Sequence, residues 1–461
     1  MNYQPGQVDL KSLSLFNHKG QEISIIASTV ELNIYNDINV AGTSVELVFV
    51  DGIGLVNAFP IVGDELLVVS FKTPDMEDHK FEKIDYVFKI TSIHSRERED
   101  VRSETFVLQG FSLEVINNIT KSVNKSYTNL TVDKIVKAVH NGFIKPFKHP
   151  ILEQLDNRKA STLVTQTKTL GEKTFVFPGV DPFKVINQLS NEAEVDPSLD
   201  ISSGNNFKYF QNSRGWHFIT TDLLTKQDPK EQFVYAESSV PVDEFDKSQK
   251  IKSFKIEETP DQITNVLNGV YNQIVETIDP ITKQYTVDKF NYAKNRKKFT
   301  HVEKDKFSLI SKNSSYADEF DTGKSIYVVS NIGNNYSNLD YIKNASQGDV
   351  PGDYQMKNPR TVHKNIKFKN PYKNSFNIKV TINIPGNTNL EIGDTIELTV
   401  PQPGQDKTEM KKSDKGLGKK YLITSLRHVL TVSEGEKDFF TSLRLEKNNY
   451  GFDLEPVEWL M

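Results

Sequence analysis

The sequence predicts a mainly β protein with a mixed α+β insertion and a polar excursion, in which one antiparallel barrel or sandwich unit is written twice. Three observations predict it. Apolar and polar residues alternate in short runs near both ends of the chain, the period of a half-buried strand. Between those ends the period changes to that of amphipathic helices. The stretch PIVGDELLVVSF, Pro60 to Phe71, is written again near the other end as LEIGDTIELTV, Leu390 to Val400.

Residues 1–116 read as the first barrel. VELNIYND (Val30 to Asp37) sets Val30, Leu32 and Ile34 against Glu31, Asn33 and Tyr35. SVELVFVDG, LLVVSF, YVFKITSIH (Tyr86 to His94) and ETFVLQGFS (Glu104 to Ser112) follow, separated by Asp51-Gly52, Thr73-Pro74-Asp75 and the charged run SREREDVRSE. Strands this short with turn residues between them point to a small barrel or sandwich.

Residues 117–250 read as the α+β insertion. LTVDKIVKAVHNGF (Leu130 to Phe143) places Val132, Ile135, Val136, Val139 and Phe143 on one helical face, capped by Thr131. A second helix starts at Asp181 with Pro182 in its first position, and its stripe is Phe183, Ile186, Leu189, Ser190 and Ala193. KYFQNSRGWHFIT (Lys208 to Thr220) reads as a hairpin turning at Asn212 to Gly215.

Strand patterning returns at Ile251, and residues 251–278 with 371–450 read as the second barrel. SFNIKVTINIPG, Ser375 to Gly386, alternates strictly. Residues 279–370, rich in Asn, Lys and Tyr, read as an irregular or helical excursion, and 451–461 as a tail.

At 461 residues the chain is long enough for about three domains with substantial cores. It is 37% apolar and 25% charged, an ordered composition, and contains no cysteine. Disulfides and thiolate metal sites are thereby excluded, which fits folding in a reducing compartment. The net charge of -5 argues against a protein that grips nucleic acid. No apolar run approaches the length of a membrane span, and the first residues lack the basic start and apolar run of a secretion signal.

The repeat extends beyond one hairpin. Near the N-terminus the order is Gly63-Asp64, strand, loop, YVFKITSIH, charged turn, ETFVLQGFS; near the C-terminus it is Gly393-Asp394, strand, loop, KYLITSLRH (Lys420 to His428), a turn with SEGEK, then FFTSLRLEK. Ile90-Thr91-Ser92 matches Ile423-Thr424-Ser425, and His94 is paired with His428. The spacing from Gly63 to Thr91 is 28 residues and from Gly393 to Thr424 is 31, a difference that a loop absorbs cheaply. Gly63 and Gly393 are expected at positive φ, with Asp64 and Asp394 bonding the backbone of their turns.

VELNIYNDINVAGTSVELVFVDGIGLVNAFPIVGDELLVVSF resembles the opening of the baseplate hub proteins of contractile-tailed bacteriophages, which are related to tail-tip proteins of long flexible-tailed phages and to the base of type VI secretion spikes. The family's strand ending in Tyr, the Asp with a short loop, and the Pro-x-x-Gly-x-Glu hairpin correspond to Tyr35, Asp51 and Pro60, Gly63, Glu65. The acidic residue that often follows the Tyr is replaced by Asn36. The likeness covers residues 20–280 and 375–450. It implies two tube-type barrels per chain and a homotrimeric virion component, assembled in the host cytoplasm. Such a ring presents six similar units to a six-fold tail tube and three-fold symmetry to a central spike. The implied partners are tail-tube or tube-initiator proteins, the spike, a tape-measure protein and DNA in transit.

Catalytic signatures are missing: no phosphate-binding loop, dinucleotide fingerprint, nucleophile elbow or zinc-binding HExxH occurs. No cofactor, metal or enzymatic activity is therefore expected, and Asp64 and Asp394 read as turn residues rather than a carboxylate pair. The basic run KNRKKF, with Lys294, Arg296 and Lys297, and the pairs Lys411-Lys412 and Lys419-Lys420 read first as solvated loops, and as candidate contacts for an acidic neighbour or a passing DNA backbone. Trp459, one of two tryptophans, is a candidate partner anchor, with docking on the chain's own surface as the equal alternative. The alternatives are a tail-tip cell-wall hydrolase, which would carry its catalytic module beyond the second barrel, and a receptor- or glycan-binding protein using the Tyr-rich excursion.

Overall fold

The structure is a computed structural model that describes residues 4–55, 59–75, 80–98, 102–145, 162–196, 205–235, 247–258, 263, 272–279, 284–291, 299–302, 326–331, 375–401, 414, 416–433 and 436–448. It is mainly antiparallel β, with short helices grouped in the middle of the chain.

The first part supplies β1 (Asp9–Phe16), β2 (Glu22–Ser24), β3 (Thr29–Asp37), β4 (Ser44–Asp51), β5 (Leu66–Lys72), β6 (Ile84–Arg98) and β7 (Glu104–Ser112). The middle supplies α1 (Leu113–Thr120), β8 (Val123–Thr131), α2 (Val132–Val139), β9 (Leu163–Thr165), β10 (Glu172–Val180), α3 (Pro182–Glu192), β11 (Phe207–Asn212), β12 (Gly215–Thr220), α4 (Thr221–Lys226) and β13 (Gln232–Val234). Then come β14 (Ser253–Glu258), β15 (Asn272–Asp279), β16 (Gln284–Asn291), β17 (Ile326–Asn331), β18 (Ile378–Pro385), β19 (Thr395–Thr399), β20 (Lys419–Ser433) and β21 (Glu436–Lys447).

Among the described residues, thirteen strands, most of them from the two ends of the chain, share one sheet. Its order is β14-β18-β21-β20-β3-β4-β7-β6-β5-β1-β2, with β19 pairing the first part of β20 and β13 pairing β19. Alternation in the sequence becomes alternation of faces. Ile378, Val380, Ile382 and Ile384 of β18 are buried, as are Val45, Leu47 and Phe49 of β4. Val30 departs from the expected stripe. A register shift between Thr29 and Glu31 turns it outward, 38% exposed, while Leu32 and Ile34 stay in the core.

Each end of the sheet covers its own apolar cluster. One gathers Leu13, Leu15, Leu47, Phe49, Phe71, Phe88 and Phe106, and takes Leu430 and Phe439 from the C-terminal part. The other gathers the inner faces of β18 to β21 and takes Phe210, Ile219 and Leu224 from the middle of the chain. A third cluster packs α2 and α3 against β12, with Val136, Val139, Ile186, Leu189 and Trp216 fully buried. Burying each such side chain contributes about 1.5–3 kcal/mol before the cost of ordering it.

Several sequence expectations differ from the fold. The helix expected over Leu130 to Phe143 begins at Val132, because Leu130 and Thr131 finish β8 opposite Lys173 and Glu172 of β10. It ends at Val139 and continues as a π-helical turn, His140–Ile144. The helix α1 and the pair β8·β10 were not expected. Within 279–370, read as irregular or helical, the described residues include β16 and β17, which flank β15 in a separate sheet.

Candidate functional site at the open sheet edges

The two written-twice hairpins are also folded alike. Gly63 has φ +84° and Gly393 φ +88°, conformations in which a Cβ is strained. In both copies the long strand carries a bulge at the same residue: register shifts fall between Ile90 and Ser92 in β6 and between Ile423 and Ser425 in β20. The threonine skipped over makes the same bond twice. Thr91 Oγ1 donates to Gln109 O at 3.4 Å, and Thr424 Oγ1 donates to Arg444 O at 3.3 Å. Gln109 pairs Ser92 and Arg444 pairs Ser425, so these acceptors are equivalent. The histidines are not. A second bulge between Ile93 and Ser95 leaves His94 unpaired and exposed, whereas His428 pairs Thr441 and is fully buried.

The acids of the two turns have diverged. In the first, buried Glu65 accepts the backbone N–H groups of Val62 (2.7 Å), Gly63 (3.1 Å) and Asp64 (3.0 Å). Asp64 itself is 65% exposed and pairs with Lys89 at 2.6 Å. In the second, Asp394 is 5% exposed, accepts the Glu391 N–H, and receives both Arg214 terminal nitrogens at 2.9 and 3.0 Å and Lys230 at 2.9 Å. Arg214 belongs to the β11–β12 turn, so this ion cluster fastens the insertion to the second hairpin. Ser213 Oγ donates to Glu391 Oε1 in the same place. Burial pushes the Glu391 carboxyl up to about 7, against the opposing pull of Ser213 and Arg214. Burial, with Arg214 adding to it, brings His217 down to about 4.

The copies meet at β20·β3. The latter part of β20 lies antiparallel to β3, with Arg427 opposite Tyr35, His428 opposite Ile34, Val429 opposite Asn33 and Leu430 opposite Leu32. On the face away from the cores Arg427 donates to Asn33 Oδ1 at 2.9 and 3.1 Å and covers the Tyr35 ring. On the core face His428 is wedged between Phe71 and Phe439, and burial brings it down to about 3.

This joint has two unfilled counterparts. β6 pairs β5 through Lys89 on one edge and β7 on the other, so from Ser95 to Arg98 the β5-side edge takes no strand among the described residues. β14 pairs β18 on one edge and takes no strand on the other among the described residues. Since β6 corresponds to β20 and β14 to β3, the open edges are the two halves of the joint already made inside the chain. No sequence pattern marks them, because an open edge is a property of pairing.

Lys294, Arg296, Lys297, Lys411, Lys412 and Trp459 lie outside the described residues. Lys420 donates to Thr225 O at 2.7 Å, a bond within the fold. Among the described residues no cluster of His, Asp or Glu is arranged to hold a metal, and no helix is long and apolar enough to cross a membrane.

No protein-family model matches the chain, and no curated protein matches it by sequence. Solved structures do. The chain is similar in fold to the tail protein from Neisseria meningitidis MC58, at TM-score 0.51 and 11% identity, over 96% of this chain and 97% of that one. Also similar are the 43 kDa tail protein of prophage MuSo2 from Shewanella oneidensis (TM-score 0.49, 9% identity, 95% and 98% covered) and the prophage tail protein gp18 from Listeria monocytogenes EGD-e (0.44, 8%, 95% and 95%). At this identity the likeness with the Neisseria protein shows a shared fold, and it extends over nearly the whole of both chains.

Proposed function

We propose that this chain is a structural hub of a phage tail: three copies form a ring of six similar units, joining a six-fold tail tube above to a three-fold central spike below. The observation that carries this reading is the joint between the two copies of the repeat together with the matching open edges. A joint between unlike surfaces repeats head to tail until it closes or runs on. A chain that already contains one such joint and exposes the complementary halves is built to make more, and closure would remove strand edges that otherwise invite aggregation. The shared fold with a tail protein supports the same reading.

In this role the protein is a baseplate component of the virion with no chemistry of its own, and contacts tube or tube-initiator proteins, spike and tape-measure protein. The ring would surround a channel through which DNA passes, and the net charge of -5 suits a wall that must not hold it. Mass photometry of the purified chain, followed by cryo-EM class averages, tests the proposal. The expected result is a trimer with six similar units around a hole. A monomer at high concentration overturns it.

A further inference from the structure

We propose that the open edge of β14 from one copy adds antiparallel to the open edge of β6 in the next, in a register that places Glu97 opposite Lys255. The inference rests on the ring reading above and specifies its joint residue by residue.

The register follows from the repeat. Superposing the shared bulges sets Ser92 on Ser425; the extra bulge at His94 then sets Ser95 on Arg427, Arg96 on His428 and Glu97 on Val429. The partner strands confirm this, since Val107, Phe106 and Thr105 face the first set and Ser442, Thr441 and Phe440 the second. On the other side, Leu47 pairs Leu108 and Ile382 pairs Leu443. That sets Leu32 on Phe254, Asn33 on Lys255 and Ile34 on Ile256. Inside the chain Val429 faces Asn33 and His428 faces Ile34. Carried to the open edges, Glu97 faces Lys255, and Arg96 faces Ile256.

The side chains at these positions suit each other. Glu97 and Lys255 are both exposed and of opposite charge, the favourable combination for a directly opposed cross-strand pair. They occupy the face on which Arg427 stitches the internal joint. Ile256 is 43% exposed on its strand, and the aliphatic stem of Arg96 would cover it. The internal joint is sealed by aromatic packing around His428 on its core face and by Arg427 on the other. The external one would be sealed by the Arg96 stem over Ile256 and by the Glu97–Lys255 pair.

The absence of cysteine makes the test direct. The double variant Glu97→Cys/Lys255→Cys, oxidised under mild conditions, should give covalent dimers and trimers on non-reducing gels, because directly opposed residues fall within disulfide range. Each single variant should stay uncoupled, and so should Glu97→Cys/Glu257→Cys, displaced along the strand. Charge reversal supplies a second readout: Lys255→Glu should weaken the trimer at least tenfold, and adding Glu97→Lys should restore it. Trimers by mass photometry without the cross-link, or with preferential coupling through Glu257, would overturn the register and leave the ring reading standing. A protein monomeric in every form would overturn both.

Discussion

Asp64 and Asp394 stand at the same place in the repeat, yet their surroundings assign them different energetic roles. The Asp64–Lys89 pair is open to water, so Asp64→Asn should change stability by less than about 0.5 kcal/mol. Asp394 compensates Arg214 and Lys230 in a buried turn, so Asp394→Asn should cost on the order of 3 kcal/mol in urea unfolding, with the denaturant slope unchanged. Titration adds a second test. Glu391, raised from 4.5 to about 7, takes its proton in the folded state first, so it contributes stability that is present below pH 4.5 and is lost as pH rises to 7. His217 and His428, lowered from 6.5 to about 4 and about 3, act oppositely: their contribution is present above pH 6.5 and is lost as pH falls through those values. Burial also raises the Glu446 carboxyl, which acts with Glu391, but the histidine shifts reach down to about 4 and about 3, so the melting temperature should fall below pH 6.5. Glu391→Gln should steepen that fall and His428→Gln should flatten it, as read by thermal melts between pH 4 and 8.

At the scale of the element, the repeat is two turns and two bulges, and each can be broken. Alanine at Gly63 pays for the left-handed backbone alone, about 1–2 kcal/mol. Alanine at Gly393 pays that and also brings its Cβ to 3.1 Å from Phe210 and 3.3 Å from Leu224, so it should be the costlier change in chemical denaturation. These glycines were legible in the sequence because a tight turn restricts residue type, and β18 was legible because burial of one face enforces strict alternation. Glu65 was legible as part of a motif, though not as the acceptor of three turn N–H groups. Other elements left little trace. In β8, VNKSYTNLT, Val123 and Tyr127 are buried among mostly exposed neighbours, too sparse for a period to emerge. The second bulge in β6 inserts one residue before the strand's end, so matching by order paired His94 with His428 although the fold does not. The open edges were invisible for a deeper reason: residue types report which face of a strand is buried, not whether its edge has a neighbour.

At the scale of the molecule, the two copies are not independent bodies joined by a linker. The sheet runs through β20·β3, and Leu430 and Phe439 of the C-terminal copy complete the N-terminal core. A second seam reinforces this, with Thr73 and Thr388 exchanging N–H to Oγ1 bonds at 3.2 and 3.1 Å. Phe439 concentrates the dependence. Its ring meets Phe71 edge-on at 5.6 Å and lies over Gly386, where a Cβ would fall 1.9 Å from the ring. The two copies must unfold as one unit, because opening either strips the other of core residues and exposes β3 as a raw edge. Phe439→Ala should therefore cost about 3–5 kcal/mol. Hydrogen exchange distinguishes the possibilities: protection should fall together in β3, β5 and β20. If protection fell in β20 and β21 alone, with β3 and β5 unchanged, the copies would be separately stable and the two together would not be the folding unit.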